Sequence, residues 1–235
     1  MQRILIASSK GGCGKTTLTT NLAVALARQG RRVFVIDADS QGSSAEWTQA
    51  RGNTLPAIPV LHSAENGQAS TAGWSLRVPP ATEVLLVDTP AGLRPHQISE
   101  FLRRCDTMLV PMVPSGIDTR ATSTFLAELA QAAPVRSGSV RVGLVANRVK
   151  ARTVASKQMP EFAASLPFPQ IASLRDTQAY VLAGALGRGV FDYGGPAIAP
   201  AREDWQPLLD WLAGVPDAAS ATGAVTVTPP SVPVS

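Results

Sequence analysis

The most restrictive feature of this sequence is a regular alternation of short apolar runs with longer helical stretches. Each apolar run is rich in Val, Ile and Leu, as in strands that are buried on both faces of a sheet. The runs span residues 3–7, 32–37, 84–88, 107–113 and 140–147. The helical stretches span residues 15–29, 43–51, 94–104, 119–133 and 153–165. This alternation predicts an α/β fold, a doubly wound and mostly parallel sheet that is flanked by helices.

Two segments depart from this regular pattern. Residues 52–83 contain four prolines and several glycines, which predict loops with one short strand. The last predicted helix, residues 201–214, would turn Trp205, Leu208, Leu209 and Leu212 toward the core. Beyond it the chain consists mainly of Ala, Ser, Thr, Val and Pro, a composition that cannot bury a core. We therefore predict one domain over residues 1–215 and a disordered tail over residues 216–235.

The composition excludes several classes of protein. Hydrophobic residues make up 45% of the chain and charged residues 16%, so there are enough apolar side chains to build a core. The two cysteines, Cys13 and Cys105, are too few for a disulfide framework or a local Cys-based metal site. Aromatic residues, at 5%, are too rare for stacking surfaces that bind single-stranded nucleic acid. No apolar run approaches the roughly 18 residues of a membrane-spanning helix, so we expect a cytoplasmic protein.

Basic residues are concentrated in one part of the chain. Residues 136–202 hold nine Lys or Arg against three acidic residues, whereas residues 203–235 hold four acidic residues and no Lys or Arg. A basic region on an otherwise balanced domain favours a polyanionic partner. The alternative, which charge alone leaves open, is an arginine-rich surface that is simply solvated.

A glycine-rich loop carries the clearest chemical signal. Residues 11–17 read Gly-Gly-Cys-Gly-Lys-Thr-Thr between the first predicted strand and the first predicted helix, which is the position of a phosphate-binding loop. Glycines allow backbone N–H groups to approach phosphate oxygens, and the helix N-terminus adds the positive end of its dipole. Lys15 would contact the β- and γ-phosphates, and the hydroxyl of Thr16 would bind Mg²⁺. Ser9 occupies the first glycine position of the usual motif, so the loop is a variant.

A second lysine defines that variant. With Lys10, the segment Lys-Gly-Gly-x-Gly-Lys-Thr-Thr is complete, and it resembles the deviant Walker A motif of the MinD/ParA superfamily of P-loop NTPases. Residues 33–42 resemble the second motif of that family, with Ser40 in place of its proline, and residues 84–90 resemble its Walker B strand. The resemblance covers roughly residues 1–150. It implies that Lys10 reaches across an ATP-dependent homodimer to the phosphates of the partner subunit.

Three carboxylates follow the predicted strands. Asp37, Asp39 and Asp88 lie at or just past strand ends, the edge at which open α/β sheets bind ligands. Asp88 suits the coordination shell of Mg²⁺, and hydrolysis needs a further acceptor that orients the attacking water toward the γ-phosphate. The family resemblance assigns that second role to Asp39 and places Asp37 in the metal network. For Asp37 the residues alone leave open a purely local function in a turn or at a helix N-cap.

The resemblance also defines the expected nucleotide contacts. Asn147 ends the fifth predicted strand, where relatives use an Asn to recognise the edge of adenine; a simple turn residue is the alternative. His62 and His96 show no metal-ligand spacing and are predicted to lie on the surface. The predicted contact residues are Gly11, Gly12, Cys13, Gly14, Lys15, Thr16, Thr17 and Asn147, with Lys10, Lys15 and Asp39 as catalytic residues and Thr16, Asp37 and Asp88 at the metal.

These features together resemble the small ParA class, whose members use ATP and Mg²⁺ to partition plasmids or to position protein cargos such as carboxysomes on the nucleoid. The resemblance implies slow ATP hydrolysis that is stimulated by a small adaptor protein of the ParB or McdB type. It also implies sequence-independent DNA binding by the ATP-bound homodimer. The predicted DNA-binding residues are Arg148, Lys150, Arg152, Lys157 and Arg175.

Other functions of the same fold stay open. The C-terminal segment lacks the basic amphipathic helix of MinD-type relatives, so no membrane attachment is expected. One alternative is a metabolic P-loop enzyme, such as a dethiobiotin synthetase-like ligase or a small-molecule kinase. The other is a MinD-like regulator of a filament-forming partner.

Overall fold

The parallel sheet predicted from the sequence is present in the computed structural model, which describes residues 1–63, 77–93, 95–114 and 118–214. The strands are β1 (Gln2–Ile6), β2 (Val33–Asp37), β3 (Val60–His62), β4 (Val84–Asp88), β5 (Thr107–Met112), β6 (Arg141–Val149) and β7 (Gln170–Arg175). Within the described ranges they form one sheet in the order β3-β2-β4-β1-β5-β6-β7, and all neighbours are parallel. The predicted fold class is therefore confirmed. The predicted tail, residues 216–235, lies outside the described residues.

Helices cover both faces of this sheet. They are α1 (Lys15–Arg28), α2 (Ser43–Ala50), α3 (Pro95–Leu102), α4 (Asp118–Ala130), α5 (Ala133–Arg136), α6 (Val154–Ala164), α7 (Gln178–Ala185), α8 (Ala199–Glu203) and α9 (Gln206–Ala213). A 3₁₀ turn covers Val190–Asp192. Within the described ranges, none of the helices combines the length and the apolar character that crossing a lipid bilayer requires.

The structure adds one strand and divides one predicted helix. The sequence analysis did not predict β7, because this edge strand buries Ala172 and Leu174 but exposes the residues between and after them, and so lacks a continuous apolar run. The predicted closing helix consists of α8 and α9, since Pro207 has no backbone N–H to continue a helix and lies in the first turn of α9. Its expected inward residues, Trp205, Leu208, Leu209 and Leu212, are all buried, as predicted.

Alternate residues of each central strand pack on opposite faces of the sheet. Ile4 and Ile6 of β1 belong to a core that includes side chains of α1, α2 and α9. Leu5 of β1 and the next residue, Ala7, belong to a second core with side chains of α3, α4 and α6. The central strands are thus buried on both faces of the sheet, which explains why they are almost uniformly apolar.

A buried ion pair anchors α2 to the rest of the domain. The guanidinium Nη1 of Arg51 lies 2.8 Å from Oδ2 of Asp192, and both side chains are almost inaccessible to water. Asp192 also accepts hydrogen bonds from Arg28 at the end of α1 and from the backbone N–H of Gly189. Gly187 has φ = 62°, and a Cβ there would lie 2.3 Å from the backbone nitrogen of Arg51. Only glycine therefore allows the loop after α7 to approach α2 this closely. The C-terminal end of α2 is therefore fixed.

The topology brings the predicted motifs to one edge of the sheet. β1 lies between β4 and β5, so the chain crosses from one side of β1 to the other between these two strands. The carboxyl ends of β1, β2, β4 and β6 meet at this edge, and the motifs singled out above lie at or near these strand ends. Open α/β sheets bind ligands at such a switch point.

Candidate nucleotide-binding site

The loop between β1 and α1 has the shape of a phosphate-binding loop. Gly12 and Gly14 adopt φ of 74° and 91°, the left-handed region that glycine enters without strain, and Gly14 precedes the first residue of α1. The thiol of Cys13 donates to the Ser8 hydroxyl, which donates in turn to the carbonyl of Lys10. Polar groups of the loop itself thus hold its shape, and the loop leads directly into the N-terminus of α1, the kind of position where backbone N–H groups bind anions.

Asn147 holds this loop from the neighbouring part of the sheet. Its Nδ2 donates to the carbonyl of Cys13 over 2.8 Å, and its Oδ1 accepts from the N–H of Arg148 over 2.9 Å. A Cβ on Gly14 would lie 2.1 Å from Nδ2 of Asn147, so this close approach requires a glycine. Both polar atoms of the side chain are bonded within the chain, and the residue is buried. The observed role of Asn147 is to fix the phosphate loop; recognition of adenine stays a prediction.

The two lysines of the motif lie at opposite ends of the loop. Lys15, the first residue of α1, is 7% exposed, and its positive charge acts to lower the pKa of Asp88. Lys10 is half-buried and lines a cleft of about 220 Å³ together with Ser9, Pro111 and Arg148. Lys15 is therefore buried beside Asp88, whereas Lys10 lies in the cleft at the other end of the loop. The contact of Lys15 with phosphates and the contact of Lys10 with a partner subunit both stay predictions.

Asp88 is the most constrained carboxylate of the site. Its Oδ2 accepts hydrogen bonds from the hydroxyls of Thr16, over 2.8 Å, and Ser44, over 2.7 Å. Its Oδ1 is buried and has no hydrogen-bond partner among the described residues. Burial raises the pKa of Asp88 to about 6, although the two hydroxyl hydrogen bonds oppose this shift. A buried carboxylate oxygen without a donor, beside a hydroxyl, fits a Mg²⁺ site, because oxygen ligands are those that Mg²⁺ prefers.

Asp37 has the local function that the sequence left as its alternative. Its Oδ1 accepts from the N–H of Asp39, and its Oδ2 accepts from the N–H of Ala45 in the first turn of α2. The carboxylate thus satisfies a donor of the helix N-terminus. Burial raises the pKa of Asp37, and these backbone hydrogen bonds oppose the shift. Both oxygens are occupied by backbone donors, so its part in the metal network stays a prediction.

Asp39 is held in a tight turn at the entrance to α2. It is half-buried, its Oδ1 accepts from the N–H of Gln41, and its carbonyl accepts from the N–H of Gly42. The carbonyl is also 3.0 Å from Nε2 of His62. Its carboxylate lies two residues past the end of β2, a position compatible with the predicted role toward water.

Two residues of this site were missed by the sequence analysis. Ser44 bonds to Asp88, and its only sequence signal is its place near the start of the helix that follows the second motif. His62 was predicted to lie on the surface, but it is half-buried at the end of β3 next to the Asp39 turn. The side chain of His96 lies outside the described residues.

The predicted DNA-binding residues do not form one uniform surface. Arg148 lines the cleft beside the phosphate loop, and Arg175 forms two hydrogen bonds with the carboxylate of Asp204. Lys150 lies 3.7 Å from Asp176. Arg152 and Lys157 are exposed, and no ion pair involving them is found in the part of the chain that the structure describes. Of the predicted set, these two are the residues best placed for phosphate contacts.

The basic region of the sequence is also divided between the amino and carboxyl ends of the strands. Arg141 begins β6 and stacks on Trp211, while Arg148 lies seven residues further along the same strand. Seven residues of strand correspond to about 23 Å. The basic residues from Arg148 onward therefore lie toward the carboxyl end of β6, apart from Arg141 at its start.

The bond between Asn147 and Cys13 yields the first prediction. Replacing Asn147 with Ala leaves the carbonyl of Cys13 and the N–H of Arg148 without these partners, so we expect the free energy of unfolding to fall by about 1–3 kcal/mol. The measurement is urea denaturation without nucleotide. Asn53→Ala, on an exposed loop, is the matched control and should change stability little. Unchanged stability of the Asn147 variant would contradict a structural clamp and favour a role in adenine recognition alone.

The raised pKa of Asp88 yields the second prediction. In the unfolded chain its pKa is near 3.9, so the folded protein binds this proton more tightly and loses stability as the pH rises through about 6. Without metal, Asp88→Asn removes this cost, and the variant should be more stable than the wild type at pH 7.5 by roughly 1–3 kcal/mol.

This difference should shrink by pH 5, where Asp88 of the wild type is protonated. Urea denaturation in chelator at both pH values provides the measurement. Glu161→Gln, which removes an exposed carboxylate from α6, is the control. A difference that is equal at both pH values would argue against a buried, proton-binding Asp88.

Comparison with known proteins places this site in a family. A model of the CobQ/CobB/MinD/ParA nucleotide-binding domain matches residues 4–190. The chain is 30% identical over 202 residues to maintenance of carboxysome distribution protein A of Halothiobacillus neapolitanus, covering 85% of this chain and 91% of that protein.

Two solved structures have a similar fold. The MinD cell division protein of Aquifex aeolicus matches with a TM-score of 0.69 and 20% identity over 91% of this chain and 97% of that one. Apo McdA of Cyanothece matches with a TM-score of 0.60 and 21% identity over 89% and 99% of the two chains. The family expected from the variant phosphate loop is thereby confirmed: this chain belongs to the CobQ/CobB/MinD/ParA nucleotide-binding domain family.

Proposed function

We propose that this chain is a ParA-type ATPase that uses ATP and Mg²⁺ to partition or position a cargo on nucleoid DNA. The observation that carries the proposal concerns the carboxylate of Asp88. Its Oδ1 is buried and has no hydrogen-bond donor among the described residues, while its Oδ2 accepts from the hydroxyl of Thr16. A magnesium–nucleotide complex would supply the missing positive charge. Thr16 and Asp88 would hold the cation, whose chemistry is to neutralise charge on the phosphates.

The residues around this point divide the remaining work. Backbone N–H groups of the phosphate loop and the ammonium of Lys15 would bind the β- and γ-phosphates. Asp39 would accept a hydrogen bond from the attacking water and orient it toward the γ-phosphate. Lys10, at the rim of the loop, would act on the nucleotide of a second subunit, so hydrolysis would be coupled to dimerisation.

Relatives of this chain support the proposed biological setting. A protein named for the maintenance of carboxysome distribution is 30% identical over most of both chains. A chromosome-partitioning ATPase Soj of Thermus thermophilus is 27% identical over 68% of this chain. These names support a positioning or partitioning role, in which an adaptor protein of the ParB or McdB type would stimulate hydrolysis and release the dimer from DNA.

DNA binding would use the basic cluster at the carboxyl edge of the sheet, formed by Lys150, Arg152 and Lys157. This cluster follows Asn147 and Arg148, which contact or line the phosphate loop. A dimer would double the number of phosphate contacts, and each contact releases counterions from DNA. The proposal therefore predicts DNA binding that depends on ATP and falls steeply with salt.

The nucleotide reaction provides the first test of the proposal. Lys15→Ala should abolish ATP binding, because the buried ammonium next to the phosphate loop is lost. Asp39→Ala should bind ATP and form the dimer but hydrolyse ATP at least about 100-fold more slowly, as expected when a water-orienting group is removed. Fluorescent-nucleotide binding, phosphate release and sedimentation provide the three measurements. A dimer that forms without nucleotide, together with a phosphorylated or ligated small-molecule product, would instead favour the metabolic enzyme.

The DNA contact has a separate test. Binding to unrelated duplexes should require ATP and should weaken by ~10³-fold or more between roughly 50 and 200 mM salt if about six contacts form. The double variant Arg152→Glu and Lys157→Glu should weaken binding to every duplex alike, because phosphate contacts carry no sequence information.

A matched control keeps the same change in net charge. Arg103→Glu with Arg104→Glu alters two exposed arginines between α3 and β5, at the amino ends of the strands. This control should leave the affinity for DNA nearly unchanged. Equal losses in the two double variants would show that only net charge matters. Equal binding with ATP, with ADP and without nucleotide would refute the nucleoid mechanism.

A further inference from the structure

We propose that His62 is a positioning residue that fixes Asp39 for its action on water, an inference that rests on the proposed ATPase function. His62 is the last residue of β3 and pairs in register with Asp37, the last residue of β2. Its Nε2 lies 3.0 Å from the backbone carbonyl oxygen of Asp39. A carbonyl can only accept a hydrogen bond, so Nε2 carries the proton and donates it.

The imidazole also packs on the turn that carries Asp39. A Cβ built on Gly42 would lie 3.3 Å from Cε1 of His62, so the ring covers the Cα of this glycine. Gly42 has φ = 67° and caps α2, and its N–H donates to the same Asp39 carbonyl. The carbonyl therefore accepts two hydrogen bonds, one from within the turn and one from His62.

The hydrogen bond from His62 joins residues 23 apart in the sequence, whereas the other hydrogen bonds of Asp39 are local. The N–H of Asp39 donates to Asp37, its Oδ1 accepts from the N–H of Gln41, and its carbonyl accepts from the N–H of Gly42, so each of these bonds joins residues at most three apart. Among the described residues, His62 alone connects residues 39–42 to a strand other than β2 by a hydrogen bond. The N–H of Ala38, just before this turn, donates to the carbonyl of Asp88 in β4, so the turn is held to the sheet at its start. The bond from His62 holds it at a second point, the carbonyl of Asp39 itself, and ties that point to β3.

This distinction matters because the water-orienting role of Asp39 depends on position. A displacement of a catalytic group by about 1 Å can reduce a rate by roughly 100-fold. ATP binding, in contrast, rests on the phosphate loop and Lys15, which His62 does not contact in any hydrogen bond found among the described residues. Loss of the imidazole should therefore lower kcat with little change in ATP affinity.

The test compares two replacements of His62. In Gln the amide Nε2 occupies nearly the position of the imidazole Nε2 and can donate to Asp39, whereas Leu has similar bulk and no donor. We expect His62→Leu to lower kcat at least about 10-fold while ATP affinity stays within about threefold of the wild type, and His62→Gln to restore most of the rate. A double variant with Asp39→Ala should be no slower than Asp39→Ala alone, because His62 acts through Asp39.

A second measurement does not depend on ATP hydrolysis. Hydrogen exchange of the nucleotide-free protein should show faster deuterium uptake in a peptide covering residues 38–42 for His62→Leu, with uptake close to that of the wild type for His62→Gln. The inference is overturned if both variants exchange like the wild type, if Gln fails to rescue the rate, or if His62→Leu further slows the Asp39→Ala protein. A wild type that does not hydrolyse ATP would overturn the proposed function, and the exchange measurement would still decide whether His62 anchors the turn.

Discussion

The buried carboxylate of Asp88 is the constraint on which the rest of the site depends. One of its oxygens joins the first helix and the second helix through the hydroxyls of Thr16 and Ser44, and the other oxygen is left without a donor. A charged group in such surroundings is unfavourable without a counter-charge, which the raised pKa expresses. Under the proposed function, a bound cation would supply this counter-charge, and without it the buried carboxylate lowers the stability of the folded protein.

The helix α2 links this carboxylate to the body of the domain. In its first turn, Ser44 donates to Asp88 and the N–H of Ala45 donates to Asp37. Its C-terminal end is fixed by the buried ion pair of Arg51 and Asp192. Both ends of α2 are thus held, and the short turn that precedes it contains Asp39 and Gly42. Under the proposed function, the positioning of Asp39 would thus depend on the five residues between β2 and α2.

The sequence predicted those features that arise from local pattern. Uniformly apolar runs identified the central strands, because these strands are buried on both faces, and the glycine-rich segment after β1 identified the phosphate loop. The edge strand β7 was not predicted, because part of it faces water and its apolar residues are few. Ser44, His62 and the clamp by Asn147 could not be predicted, because each acts on a residue from another strand or loop. Charge counting likewise merged two groups of basic residues that the length of β6 keeps apart.

The central place of β1 has a consequence for synthesis of the protein. This strand is made before either of its neighbours: Gln2 pairs with Val84, and Ile4 pairs with Thr107. A sheet built from such distant segments forms slowly, because long loops must close before the pairings stabilise it. The phosphate loop also cannot gain its hydrogen bond from Asn147 to the carbonyl of Cys13 until residue 147 has been made. A nascent chain on the ribosome therefore exposes the complete loop sequence long before it can bind a nucleotide, so ligand can assist only the last steps of folding.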